Sequence, residues 1–262
     1  MLSFVAQSAR GQDKPRVPLS EIERTQNIVE RFLIEWRGEL DPKHAKAVDT
    51  YWMSAAEHGM NASTFTSRVV SSTGADVPAS ISAAVGAMSG PLHGGAPSRA
   101  LHMVEEVERT GNAEAYVRSL LDRGERLMGF GHPVYRAEDP RARILRQAAK
   151  ELGAPRYEVA KALEDEALKQ LKERKPDRVL ATNVEYWAAV VLDFAEIPGH
   201  MFTPMFTCAR MAGWSAHIVE QKGLNKIIRP SAEYVGPVDT APEEISGWQD
   251  MTARNKGLHA EA

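Results

Sequence analysis

Two histidines stand in glycine-rich surroundings, His93 in Gly90-Pro91-Leu92-His93-Gly94-Gly95 and His132 in Leu127-Met128-Gly129-Phe130-Gly131-His132. Glycines beside a histidine free the backbone and let a ligand approach main-chain N–H groups. Either cluster alone reads as well as a plain turn; the pair points towards a binding site. Three arginines, Arg141, Arg210 and Arg229, each adjoin a chain break or an apolar stretch instead of an open charged face. Arg210 lies between Met205-Phe206 and Met211-Ala212-Gly213-Trp214. A planar guanidinium in apolar company suits bidentate carboxylate binding, and three of them suit a di- or tricarboxylate. Taken singly, each reads equally well as an ordinary surface arginine.

Competing chemistries lack their patterns. Eight histidines are present, but there is no HExxH and no CxxC, so a zinc site has no close ligand pairing. No GxxxxGK[ST] occurs and no strand precedes the glycines, which removes the phosphate-loop and dinucleotide readings. The single cysteine, Cys208, forms no intramolecular disulfide and reads as a buried core thiol in a reducing, cytoplasmic setting. With 32 Lys and Arg against 35 Asp and Glu, the formal charge of −3 gives no field for a polyphosphate backbone, so nucleic acid is not an expected partner. No window approaches the roughly 18 apolar residues needed to span a bilayer, and no membrane partner is expected. Residues 1–20 carry Arg10, Lys14 and Arg16 against Asp13, but Gly11, Pro15 and Pro18 interrupt any continuous amphipathic leader helix.

The elements that must position these residues are helices. A chain of 262 residues with 43% hydrophobic positions can bury a full core, and its periodicity is helical throughout. Ser20 with Glu23 is a possible capping box for one helix carrying Ile22, Ile28, Val29, Phe32 and Leu33 as far as Gly38. Asp41-Pro42 and Asp139-Pro140 are N-cap and N1 pairs, the second helix stopping at Gly153. Pro78 to Met88 reads as a short small-residue helix, and Pro97 to Thr110 and Asn112 to Arg123 as amphipathic surface helices. Further helices are expected over Arg156 to Arg174, Asn183 to Phe194 and Phe202 to Gln221, with a polar tail beyond Pro237. The fold class is all-α, with possible joints at Gly90–Gly95, Gly129–Gly131 and Pro198-Gly199.

With these motifs in order, the sequence resembles the citrate synthase family. The resemblance rests on Glu57-His58-Gly59-Met60-Asn61-Ala62-Ser63-Thr64, on the two glycine-histidine motifs extended through Pro133-Val134-Tyr135, and on Asp139-Pro140-Arg141-Ala142. Asn183-Val184-Glu185, Ala209-Arg210-Met211-Ala212-Gly213-Trp214 and Arg229-Pro230-Ser231-Ala232-Glu233-Tyr234-Val235-Gly236 complete it. It covers about residues 2 to 237. It implies a two-domain all-α fold, N-terminally shortened: a large domain from residues 1–94 and 197–262, and an inserted small domain over 95–196 that closes over it, as a homodimer. It further implies a Si-type citrate synthase, an acyltransferase of the tricarboxylic acid cycle that condenses acetyl-CoA with oxaloacetate and hydrolyses citryl-CoA, without a metal or a permanently bound cofactor. A 2-methylcitrate synthase using propionyl-CoA is the alternative within the class, and a catalytically impaired carboxylate-binding homologue the alternative outside it. By the same resemblance His58, Arg141 and Arg210 hold oxaloacetate, and Arg229 reaches the neighbouring subunit's site. His132 polarises the ketone, His93 donates to the thioester oxygen, and Glu185 removes the methyl proton. Leu127, Met128, Gly129, Phe130 and Gly131 pass along the adenine end of CoA.

These residue types make chemical sense together. A thioester methyl is a very weak acid, so its carbanion must form as an enol or enolate stabilised by a positioned donor. A carboxylate in a closing cleft is desolvated enough to act as base, and closure keeps water from the intermediate. Two departures from the family pattern stand out. The base position holds Glu185 where the family usually has Asp, and a substantial N-terminal portion of the usual chain is missing, which predicts exposed apolar patches.

Overall fold

The computed structural model describes residues 1–251 except 91, 92, 95, 133, 134, 136, 238 and 239, with only the backbone of Ala96. Pro91, Leu92, Gly95, Pro133 and Val134 of the histidine motifs, and the end of the polar tail, therefore lie outside the described residues. The chain divides into two units, Met1–Ile228 and Arg229–Ala262. In the second unit the described residues include a 3₁₀ turn, Pro242–Glu244, and helical residues 248–251, and the Tyr234 hydroxyl donates to the carbonyl of Pro237 at 2.9 Å.

The first unit is built from α1 (Leu2–Arg10), α2 (Leu19–Ile22), α3 (Ile28–Arg37), α4 (Pro42–Ala55), α5 (Ala62–Ser72) and α6 (Val77–Met88). It continues with α7 (Ala96–Thr110), α8 (Ala113–Asp122), α9 (Pro140–Leu152), α10 (Tyr157–Arg174), α11 (Val184–Phe194) and α12 (Phe202–Leu224). Among the described residues there is no strand, only an isolated bridge between Phe130 and Thr182. The fold is all-α, as expected.

Local signals explain most boundaries. The carboxylates of Asp41 and Asp139 and the side-chain oxygens of Asn112 and Asn183 accept first-turn N–H groups of α4, α9, α8 and α11. Gly38 and Gly153 end α3 and α9 in the left-handed conformation. The expected helix from Ser20 to Leu33 is instead two elements. Asn27 caps α3 by accepting from Val29 and Glu30, whereas Ser20 lies inside the one-turn α2, which has no side-chain cap. A local Asn cap thus overrides the apolar spacing that runs across the break. The helix α7 is also less superficial than expected, because Ala100, Leu101, Met103, Val104 and Val107 are buried, and it packs on α11.

Two arrangements position the site. The apolar α11 is enclosed by α4, α7 and α9, with Tyr186 through Leu192 buried. Each fully buried large side chain there contributes about 1.5–3 kcal/mol. Its polar tips are satisfied: the Tyr186 hydroxyl donates to the Ala160 carbonyl at 2.6 Å and Trp187 Nε1 to buried Glu164 at 2.9 Å. The second arrangement centres on α4, which packs against α3, α9, α11 and α12. One helix thus touches the three that carry Arg141, Glu185 and Arg210.

Candidate active site

At the start of α9, Asp139 is 1% exposed, and its carboxylate accepts from Arg141 Nε at 3.0 Å and Arg141 Nη2 at 2.7 Å. The same carboxylate accepts the N–H of Arg141 at 3.0 Å and that of Val184 at 3.1 Å. One buried carboxylate therefore grips the guanidinium of Arg141 and the first turns of both α9 and α11. The arrangement is self-consistent, since burial alone would raise the Asp139 pKa, and Arg141 with these N–H groups holds it below its ordinary value. Glu185 follows one residue after Val184, so its helix start is locked to Arg141.

Arg210 lies in the middle of α12 and is 2% exposed. Its Nε donates to the Ala55 carbonyl at the end of α4 at 2.7 Å, and the N–H of Gly213 donates to the Ala56 carbonyl at 3.1 Å. Its guanidinium sits over the Phe206 ring, 4.9 Å from the centroid. Neither terminal amino group has a hydrogen-bond partner among the described residues. Burial and the charge of Arg141 pull its pKa down to about 10. Two guanidiniums that destabilise each other, with open N–H forks, form a site for an anion.

Three rings meet beside these cations. His58 Nε2 lies 3.0 Å from the Tyr135 hydroxyl, the His58 and His132 rings meet edge-on at 5.2 Å, and the His132 and Tyr135 centroids are 4.8 Å apart. Burial, then Arg141 and His132, lower the His58 pKa to about 4. Burial and Arg141 also lower that of His132, so both imidazoles are neutral at pH 7. His132 Nδ1 accepts the N–H of Tyr135 at 3.3 Å, which places the proton of the neutral ring on Nε2 and makes that nitrogen a donor.

His93 is held differently. Its Nε2 is 2.9 Å from Ser63 Oγ, which also accepts from Trp214 Nε1 at 3.2 Å and lies 2.8 Å from Asn61 Oδ1. Ser63 has one proton to give. Given to Asn61, it leaves His93 protonated on Nε2; given to His93, it puts the imidazole proton on Nδ1 as a donor for a ligand. Burial and Arg210 lower the His93 pKa. Glu185, half-buried at the first turn of α11, receives no side-chain hydrogen bond among the described residues. Burial raises its pKa to about 7, against the pull of Arg141 and Arg99. It is a desolvated carboxylate poised to take a proton near neutral pH.

The segment from Leu127 to Gly131 runs beside residues 180–183. The N–H of Gly131 donates to the Ala181 carbonyl at 2.7 Å, that of Asn183 to the Gly129 carbonyl at 2.9 Å, and Asn183 Nδ2 to the Gly131 carbonyl at 2.8 Å. Gly129 has φ +85°, and a Cβ there would come 2.6 Å from that of Tyr186, so the position admits only glycine. The N–H of Met128 points to Met103 Sδ at 3.3 Å. Leu127, Phe130, Gly131 and His132 line one side of a cleft of about 800 Å³, with Arg126, Lys175 and Arg178 also on its wall.

The structure thus gathers His58, His93, His132, Arg141, Glu185 and Arg210 through α4 and its neighbours, with the 127–131 segment leading away from His132. Arg229 opens the second unit, where it is exposed. Sequence reasoning missed Asn61 and Ser63 behind His93, Tyr135 against His58, and Asp139 as a bridge beyond its own cap. Cys208 is buried and its pKa is pushed up to about 12 by burial, which suits a core thiol and no nucleophile. Among the described residues no group of three or more His, Cys, Asp or Glu could hold a metal ion, and no helix is long and apolar enough to cross a membrane.

The model of the citrate synthase C-terminal domain matches residues 1–231. This chain belongs to the citrate synthase family. It is 64% identical over 248 residues to "Putative citrate synthase 2" of Mycobacterium tuberculosis, covering 95% of this chain and 66% of that one. It is 39% identical over 198 residues to the 2-methylcitrate synthase of Shewanella oneidensis, covering 74% of this chain and 51% of that protein. Among solved structures, the citrate synthase of Thermoplasma acidophilum in ternary complex with carboxymethyl coenzyme A and oxaloacetate superimposes with a TM-score of 0.78 at 29% identity. That match covers 92% of this chain and 64% of the other. The chain thus spans between about half and two thirds of the length of these three relatives.

Proposed function

We propose that the chain carries the condensing site of a citrate synthase, joining acetyl-CoA to oxaloacetate and hydrolysing citryl-CoA. The observation that carries this reading is the pair Arg141 and Arg210: Arg210 buried, Arg141 half-buried beside it and depressing its pKa, both open on part of their N–H forks, next to neutral histidines and a carboxylate of raised pKa. The substrate carboxylates take the open forks, with His58 beside them. His132 donates from Nε2 to the ketone oxygen, building positive character at the carbon to be attacked. Glu185 takes a proton from the acyl methyl while His93, once the Ser63 hydroxyl has turned from Asn61 to donate to its Nε2, donates from Nδ1 to the thioester oxygen. The enol attacks the ketone carbon and returns its hydroxyl proton to His93 as the thioester carbonyl re-forms. The new alkoxide is protonated by way of His132, the proton held by Glu185 closing the balance, and water then attacks the citryl thioester with CoA leaving as its thiol.

The cleft beyond His132 fits the CoA arm, with Arg126, Lys175 and Arg178 suited to its phosphates and the glycines of the 127–131 segment to close approach. We assign residues 95–196 to a small domain that closes over residues 1–94 and 197–262, which excludes water from the enol. Arg229 acts on the substrate of a second subunit in a homodimer. No metal or resident cofactor enters these steps, and the enzyme is assigned to the cytoplasm.

The test is thiol release from acetyl-CoA and, in parallel, propionyl-CoA, each with and without oxaloacetate. Oxaloacetate-dependent release that disappears in Glu185→Gln and His93→Ala establishes the condensing enzyme, and the faster acyl donor sets its substrate class. Saturable oxaloacetate binding without release would reduce the chain to a carboxylate-binding homologue.

A further inference from the structure

One buried polar group in the site has no work assigned to it. Tyr51 lies in α4, the helix that packs against α9, α11 and α12, and it is 2% exposed. Its hydroxyl has no hydrogen-bond partner among the described residues. Phenylalanine would fill the same volume without a hydroxyl that no described residue pairs. The charged groups that act on that hydroxyl are Glu185, Arg210 and Arg141, with the Cys208 thiol. These are the proposed base and the two arginines with open forks, and Ala55, one turn after Tyr51 on the same face of α4, accepts the Arg210 Nε hydrogen bond at 2.7 Å, so Tyr51 stands on the face of α4 that Arg210 meets.

We infer that Tyr51 is a further substrate-binding residue, its hydroxyl donating a hydrogen bond to an oxygen of the carboxylate substrate held by Arg141 and Arg210. This rests on the reading of that site as the oxaloacetate site. Glu185 is not the acceptor in the free chain, since no hydrogen bond joins the two side chains. An incoming carboxylate or keto oxygen brings the lone pair the hydroxyl lacks. Burial and the charge of Glu185 push the phenol's pKa up, with Arg210 and Arg141 opposing, and so keep it a donor at neutral pH.

The test is Tyr51→Phe in the full chain, read by calorimetric oxaloacetate binding, by thermal unfolding without ligand, and by steady-state kinetics. Removing one hydrogen bond to a charged ligand is expected to raise the oxaloacetate Kd and KM about 5- to 30-fold, with kcat changed less than threefold. The ligand-free Tm should be unchanged or higher, because the hydroxyl has no protein partner to lose. A Kd within twofold of wild type overturns the inference. So does a ligand-free Tm several degrees lower, which would give the hydroxyl a structural partner. If the wild-type chain itself fails to bind oxaloacetate, the site assignment falls; if wild type binds and Tyr51→Phe binds equally, only the role of Tyr51 falls.

Discussion

At the scale of single residues, Glu185 sets the pH behaviour. Its pKa in the folded chain is about 7 against an ordinary 4.5, so the folded state keeps a proton that the unfolded chain releases over that interval. As pH rises through it, stability is lost. His58 acts with the opposite sign: its folded value near 4, against 6.5, costs stability as pH falls below 6.5. Because His58 acts in both proteins alike, the stability of Glu185→Gln relative to wild type should rise by about 1–3 kcal/mol between pH 5 and pH 8, measured by urea unfolding of both at each pH. The same substitution should lower kcat by about 10²-fold or more, because no other carboxylate replaces the base. In wild type the rate should climb with pH through about 7, the value at which Glu185 ionises. A profile flat from pH 5.5 to 8.5 would show that Glu185 does not carry the proton.

At the scale of elements, the decisive joint is Asp139 between α9 and α11. Asp139→Asn keeps one carbonyl oxygen and loses the charge that grips Arg141 while accepting from Val184. Breaking a buried ion pair costs about 3–5 kcal/mol. For a chain of this length each kcal/mol moves Tm by about 2–4 °C, so a fall of roughly 6–20 °C is expected, together with a higher KM for oxaloacetate. This joint also shows what could be read from the residue string. Asp139 and Asp41 were legible as caps because a cap is a contact between neighbours in sequence. The bond from Val184 to Asp139 spans 45 residues and has no local signal. Tyr51 fell on the apolar stripe of α4 and so read as core, although its hydroxyl sets it apart. α5 left no apolar stripe to find, because it buries Ser63, Thr64, Ser67, Arg68 and Ser71 and turns Phe65 outward. The glycine-histidine motifs were visible from composition alone, yet the reason for Gly129 is Tyr186, 57 positions later. Gly129→Ala meets both a positive φ and that side chain; an increase in the acyl-CoA KM and a loss of about 2 kcal/mol or more in unfolding free energy are expected.

For the whole molecule, the inverted polarity of α5, with the apolar residues that α6 leaves uncovered beside it, bears on assembly. Ser63, Ser67, Ser71 and Ser80 are buried, while Phe65 and Val77 are exposed and Val69, Ile81 and Val85 are only partly covered. The two helices pack together, so these apolar residues lie on adjoining helices. An apolar surface over a polar interior is the pattern of a helix pair covered by another chain, and twofold symmetry would place the same face on itself. Sedimentation should therefore give twice the chain mass, and Phe65→Glu should shift it to a single chain. The proposed reach of Arg229 makes this assembly part of the chemistry. Glu185→Gln and Arg229→Gln should each be close to inactive when purified alone. Mixed after dissociation and reassociation, half of the dimers would pair one of each, and each such dimer would own one site with an intact base and an intact arginine from its neighbour. Recovery of about a quarter of wild-type turnover is expected. No recovery in a mixture shown to have exchanged subunits would place Arg229 in its own chain's site, because then neither kind of site could ever be whole.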